Sequence, residues 1–144
     1  MKMQDQNVYL LIGAVLSFVA SILHILIIIG GPGWYRFFGA GEKFASAAAA
    51  GEIYPHVVTV CIAALLASWG VYALSGAGIV RELPFLKQIL IVITTVYLMR
   101  GLAFIPLLMI SHTYSIGFLI WNSVICLIYG VFHLVGLAQV WAEL

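Results

Sequence analysis

The chain has 144 residues, a net charge of +1 and two cysteines; 65% of it is hydrophobic, 8% is charged, and its mean hydropathy is +1.17. Soluble domains carry about 25% charged residues, so a water-facing surface is excluded for most of this chain and a bilayer is its solvent. The near-zero charge gives nucleic acid no electrostatic footprint, and Cys61 and Cys126, isolated in apolar runs, argue against a thiol–disulfide centre or a zinc knuckle.

The first apolar run, residues 8–29, is longer than a signal-peptide core and no Ala-x-Ala site follows it, which predicts a retained membrane span. Its polar residues Ser17, Ser21 and His24 fall at i, i+4 and i+7, on one helix face. Gly30-Gly31-Pro32-Gly33 then stops the helix. The rings of Trp34, Tyr35, Phe37 and Phe38 suit the depth of a membrane interface, where Arg36 can snorkel to headgroups. Residues 42–50 (EKFASAAAA) form a strong local helix with Gly51 as its stop. That helix is too short to span, so an interfacial or re-entrant helix is expected.

The second span is expected over residues 57–74, with Pro55 near its first turn and a small-residue stripe at Ala63, Ala67 and Gly70 for close helix approach. Ser75-Gly76-Ala77-Gly78 ends it, and a connector with Arg81, Glu82 and Lys87 leads on. The third span, residues 88–110, contains Arg100, and Pro106 predicts a kink near its end. After the polar turn SHTYS comes the fourth span, residues 116–140, with Asn122, Tyr129 and His133 on one face and Trp141 as an interface anchor. The expected fold is therefore all-α: an integral membrane four-helix bundle, one transmembrane domain over 1–144, with the short helix between spans one and two. Four spans put both termini on one side. That side holds Lys2, Arg81 and Lys87 against Arg36 and Lys43 on the other, which favours cytoplasmic termini.

Counting ~1.5 Å per helical residue places Arg100, Ser21 and Asn122 at a similar level, about 20 Å from the side of the termini. His24 lies about one turn to one side of that level and Tyr97 about one turn to the other, while His133 is set apart, near the termini. Arg100 is the sharpest residue, because a charge at mid-depth costs ~2.5–3.5 kcal/mol or more and guanidinium does not neutralise. No span contains Asp or Glu. Its counter-charge is expected from Glu42 or Glu52 folding inward, or from the acidic head of a bound lipid or other ligand; carbonyls and water are the remaining alternative.

His24, His56 and His112 with Glu42 and Glu52 could supply metal donors, but no metal-ligand spacing is present. A haem would need a partner for His24 at its own depth, and His56 and His112 count about two turns too shallow. The plainer expectation is that His24 and His133 are hydrogen-bonded core residues and His56 and His112 interfacial.

The segments GPGWYRFFGAGEKFA, YPHVVTV, ALSGAG and VYLMRGL, and the Gly39-Ala40-Gly41-Glu42-Lys43 turn after span one, give the chain a layout that resembles small four-span bacterial inner-membrane proteins of the DoxX-like group. The resemblance implies a bacterial inner-membrane location and an association with quinone or thiol redox complexes, and it assigns no catalytic residue.

The leading functional expectation is an accessory protein that holds an amphiphilic or anionic small molecule, lipid or quinone-like. Its pocket would be lined by Ser21, His24, Tyr97, Arg100 and Asn122 and lidded by residues 42–54 with Glu42 and Glu52. An intramembrane enzyme using His24 as general acid or base beside Arg100 is the second. A structural or transport homo-oligomer joined through Ala63, Ala67 and Gly70 is the third.

Overall fold

The computed structural model describes residues 6–110 and 116–144, apart from the side chain of Leu108. Lys2 and the turn with His112 lie outside the described residues. The described chain is all-helical: α1 (Val8–Gly30), α2 (Pro32–Phe37), α3 (Glu42–Ala49), α4 (Tyr54–Gly76), α5 (Leu86–Leu102), α6 (Phe104–Ile110) and α7 (Ile116–Val140). Four helical stretches, α1, α4, the α5–α6 run to Leu107, and α7, are long and apolar enough to cross a membrane. The protein is a multi-pass membrane protein with an all-α four-helix bundle.

Where α2, α3 and α4 stop follows from glycine. At Gly39, Gly51 and Gly78 φ is +74°, +79° and +75°, a left-handed conformation that only glycine enters without penalty. Each closes its helix in the same way. The N–H of Gly51 donates to Ala48 and that of Glu52 to Ala47; Gly78 and Ile79 donate to Ser75 and Leu74, and Gly39 and Ala40 to Arg36 and Tyr35. This paired 5→2 and 6→1 closure satisfies carbonyls that a helix end leaves open.

One inner boundary differs from the sequence expectation and one follows it. Pro32, expected only to help break α1, is the first residue of α2, where its missing N–H has no partner to lose and its φ is already helical. The third span divides at Ala103 into α5 and α6. Pro106 has no N–H for the Leu102 carbonyl four residues earlier, and its ring crowds that carbonyl, so α5 ends there.

The chain divides into two compact units, Met1–Ser17 with Ser68–Leu144, and Phe18–Ala67. In the first, α5 and α7 run antiparallel at close range. A Cβ on Gly101 would lie 2.6 Å from Leu127, and one on Gly130 would lie 2.6 Å from Leu98. Gly76 of α4 sits in the same way against Leu10 and Leu90, and Gly136 against Leu10. Without water to expel, helices in lipid associate through such van der Waals contact. Asn7 ties the start of α1 to the end of α7: its Oδ1 accepts from the Leu10 N–H, and its Nδ2 donates to Gln139 Oε1 at 2.9 Å.

In the second unit, Ile27, Tyr35 and Ala45 form a buried core with Leu23, Phe38, Phe44 and Ala48 against it. Ser21 Oγ donates to the Ala63 carbonyl at 2.7 Å, joining α1 to α4.

Candidate functional site

The seven residues singled out from sequence fall in both units: Ser21, His24, Glu42 and Glu52 in Phe18–Ala67, and Tyr97, Arg100 and Asn122 in the other. Each unit has its own polar constellation.

In the first unit, Arg100 lies on α5, fourteen residues or ~21 Å beyond Leu86. It is exposed, and so are Val96, one turn before it on the same face, and its neighbour Met99, at 41% and 66% exposure. Three residues before Arg100, Tyr97 is buried, and its hydroxyl pairs with Ser17 Oγ at 3.0 Å. The rings of Trp69, Tyr129 and His133 surround it, with centroids 5.2, 5.3 and 5.2 Å away.

His133 is thus in ring contact with Tyr97. The depth count set it nearer the termini, and helix register keeps it about two residues, ~3 Å, on that side of Tyr97. The same register, pairing Gly101 with Leu127 and Leu98 with Gly130, sets Asn122 about six residues, ~9 Å, beyond Arg100 along α5. The level expected for Asn122 was counted from a loop end taken as a fixed plane, and helix register overrides that assumption. Asn122 is half-buried and takes a long 3.9 Å contact from the Cys126 thiol.

His133 is fully buried. Its Nδ1 lies 2.8 Å from the Tyr129 carbonyl; a carbonyl only accepts, so Nδ1 carries the proton. Nε2 is buried and has no hydrogen-bond partner among the described residues. The imidazole rests against Gly13 of α1, where a Cβ would stand 2.8 Å from its Cε1. The shared face of Asn122, Tyr129 and His133 was the sequence signal for this residue, and Ser17 was its counterpart on span one.

In the second unit, Glu42 is bound locally. Arg36 donates to both its oxygens, from Nε at 2.9 Å and Nη2 at 2.8 Å, and Ser46 Oγ donates at 3.0 Å. These hydrogen bonds, from Arg36 first and Ser46 second, hold the Glu42 carboxyl down at about 2 and push Arg36 up. Both oxygens of Glu42 are thus occupied, and the expectation that this acid is kept for Arg100 gives way to a partner six residues earlier in the chain. Closing the short Gly39-Ala40-Gly41 turn costs far less entropy than a long-range closure.

Tyr35, 1% exposed, joins α2 to α4. Its hydroxyl lies 3.1 Å from His56 Nδ1 and 3.2 Å from Thr59 Oγ1, and Thr59 also bonds the Pro55 carbonyl at 2.7 Å. His24 Nδ1 donates to the Ala20 carbonyl of its own helix at 2.7 Å, leaving Nε2 as the nitrogen open to other groups. Ser21 is engaged by Ala63. A groove of about 780 Å³ runs over α3 and is lined by Glu42, Lys43, Phe44, Ser46, Ala47, Ala50, Glu52 and Tyr54. The segment expected to act as a lid thus carries a concave surface of its own.

Among the described residues, no group of three or more His, Cys, Asp or Glu side chains is placed to hold a metal ion. Comparison with protein-family models, with characterised proteins and with solved structures gives no match.

Proposed function

We propose that the protein is an accessory membrane protein that holds an amphiphile, of lipid or quinone-like class, by the acceptor oxygens of its headgroup at Arg100. The observation that carries this reading is the pairing of Arg100's exposure with Glu42's commitment: the guanidinium is exposed beside apolar residues, and both oxygens of Glu42, one of the two acids expected as its counter-ion, are taken by Arg36. A fixed positive charge at that depth is costly until it meets an anion or several acceptors. Guanidinium offers five donors in a planar fork that matches phosphate or carboxylate. The apolar residues beside it suit the tails of the same molecule. The likeness of layout to DoxX-like proteins adds nothing to this reading, which stands on Arg100. Its setting is a bacterial inner membrane with both termini in the cytoplasm, an orientation supported by three lysine and arginine residues on the terminal side against two on the other.

The test is native mass spectrometry of the full chain released from membranes, wild type against Arg100→Gln. Hydrogen bonds to a charged group contribute ~1.5–3 kcal/mol, so the variant should retain anionic lipid or quinone at least ~10-fold less well. Equal retention by the two proteins would remove Arg100 as the anchor.

A further inference from the structure

The groove over α3 carries two charges that its own unit does not neutralise. Glu42 is matched by Arg36, but Lys43 and Glu52, which line the same groove, have no ion-pair partner among the described residues. They stand at opposite ends of α3, Lys43 in its first turn and Glu52 just past its last residue, Ala49. Eight helical residues separate their ends by ~12 Å, and side chains of their length reach inward from both. Two aromatic rings line the groove with them, 5.3 Å apart between centroids: Tyr54, two residues past Glu52, and Phe44, in the first turn of α3.

A carboxylate with a tyrosine π face two residues on is chemistry that recognises an organic ammonium. An unmatched lysine beyond it recognises a phosphate. The helix supports the same polarity, since its N-terminal end favours an anion and its C-terminal end a cation. The occupant that fits both ends is dipolar, and it is at hand, because α3 joins two helices that are apolar enough to cross the membrane.

We propose that the α3 groove seats the headgroup of a zwitterionic phospholipid, with the ammonium at Glu52 and Tyr54 and the phosphate on Lys43. The site lies wholly within Phe18–Ala67 and is independent of Arg100.

The experiment uses the full chain in maltoside micelles, with tyrosine rings isotopically labelled and the Tyr54 signal assigned. Two short-chain probes are titrated below their micelle concentrations: dihexanoyl-phosphatidylcholine, and dihexanoyl-phosphatidylglycerol, which keeps the phosphate and tails but lacks the ammonium. The choline probe should shift Tyr54 saturably and bind about fivefold or more tightly than the glycerol probe. Glu52→Gln should abolish that preference, and Lys43→Gln should weaken both probes. Glu52 and Lys43 are exposed, so helix content by circular dichroism should not change in either variant. Equal affinity of the two probes for the wild type, or a preference that survives Glu52→Gln, would overturn the proposal.

Discussion

The two units hold together by different means. In Met1–Ser17 with Ser68–Leu144, the helices meet where glycine removes a side chain: Gly76, Gly101, Gly130 and Gly136 each receive a leucine at a distance that leaves no room for a Cβ. The polar groups at their centre are deeply placed: the Tyr97–Ser17 pair and the His133 imidazole with its unpartnered nitrogen. In Phe18–Ala67, short helices end on left-handed glycines and are joined through side chains: Arg36 to Glu42, Tyr35 to His56 and Thr59, Ser21 to a backbone carbonyl. The contrast follows from the solvent each sequence is built for. Apolar helices in hydrocarbon gain nothing by hiding from it and depend on close contact, whereas a segment with its own charges and turns can use hydrogen bonds and a small aromatic core.

The contrast predicts that the first unit is broken by volume and the second by the loss of polar groups. The largest effect should come from Gly130→Leu, whose side chain would meet Leu98 and the Leu98 backbone nitrogen, 3.1 Å from a Cβ. Backbone cannot give way as a flexible side chain can, so thermal unfolding in detergent should show a loss of ~3 kcal/mol or more.

Gly13 and His133 should show strong coupling. Gly13→Ala alone forces a methyl against the imidazole and should cost about 1–3 kcal/mol. His133→Ala alone leaves a cavity, at about 2–4 kcal/mol. Together the alanine methyl occupies part of that cavity, so the double variant should be more stable than the sum by about 1–2 kcal/mol. A double-mutant cycle by chemical denaturation measures this, and additivity would show that the ring does not press on Gly13.

A smaller effect is expected from Tyr35→Phe, which keeps the ring and removes the hydroxyl shared by His56 and Thr59. The cost should be ~1–2 kcal/mol, confined to residues 32–59 in hydrogen-exchange protection, with α5 and α7 unchanged.

The smallest concerns pH. The Glu42 carboxyl is held at about 2, below its ordinary 4.5. A depressed carboxyl stabilises the fold above its unfolded value, so the Arg36–Glu42 contribution should be complete above pH ~4.5 and fade between there and pH ~2. Carboxyl carbon NMR of Glu42 should report that midpoint, and Arg36→Gln should return it towards the ordinary value.

Much of this architecture is legible in the sequence because hydrophobic length is a strong signal. The span expected at 116–140 coincides with α7, and that at 8–29 ends one residue short of α1. Gly51 announced the end of α3, and Pro106 the break in the third span. The helix α2 was hidden because six residues are too few for periodicity and Pro32 reads equally as a stop or a start. Helix register was the larger gap. Counting depth from loop ends levelled Asn122 with Arg100, because sequence gives a rise per residue but not where two helices are pinned together. Gly101 and Gly130 pin them, and nothing in a single sequence pairs those glycines with Leu127 and Leu98. The Arg36–Glu42 pair was missed for the opposite reason: the search for a counter-ion to Arg100 looked far along the chain, and the nearer partner was six residues away.

The central claim, that Arg100 takes its counter-charge from a bound amphiphile, is tested most directly by solid-state NMR of the full chain in bilayers of native lipid extract. The Arg100 guanidinium is labelled with nitrogen-15 and its dipolar coupling to lipid phosphorus-31 and to glutamate side-chain carboxyl carbon-13 is measured. The account predicts coupling to phosphorus, removed by Arg100→Gln. Coupling to the Glu52 carboxyl carbon in place of phosphorus would contradict it.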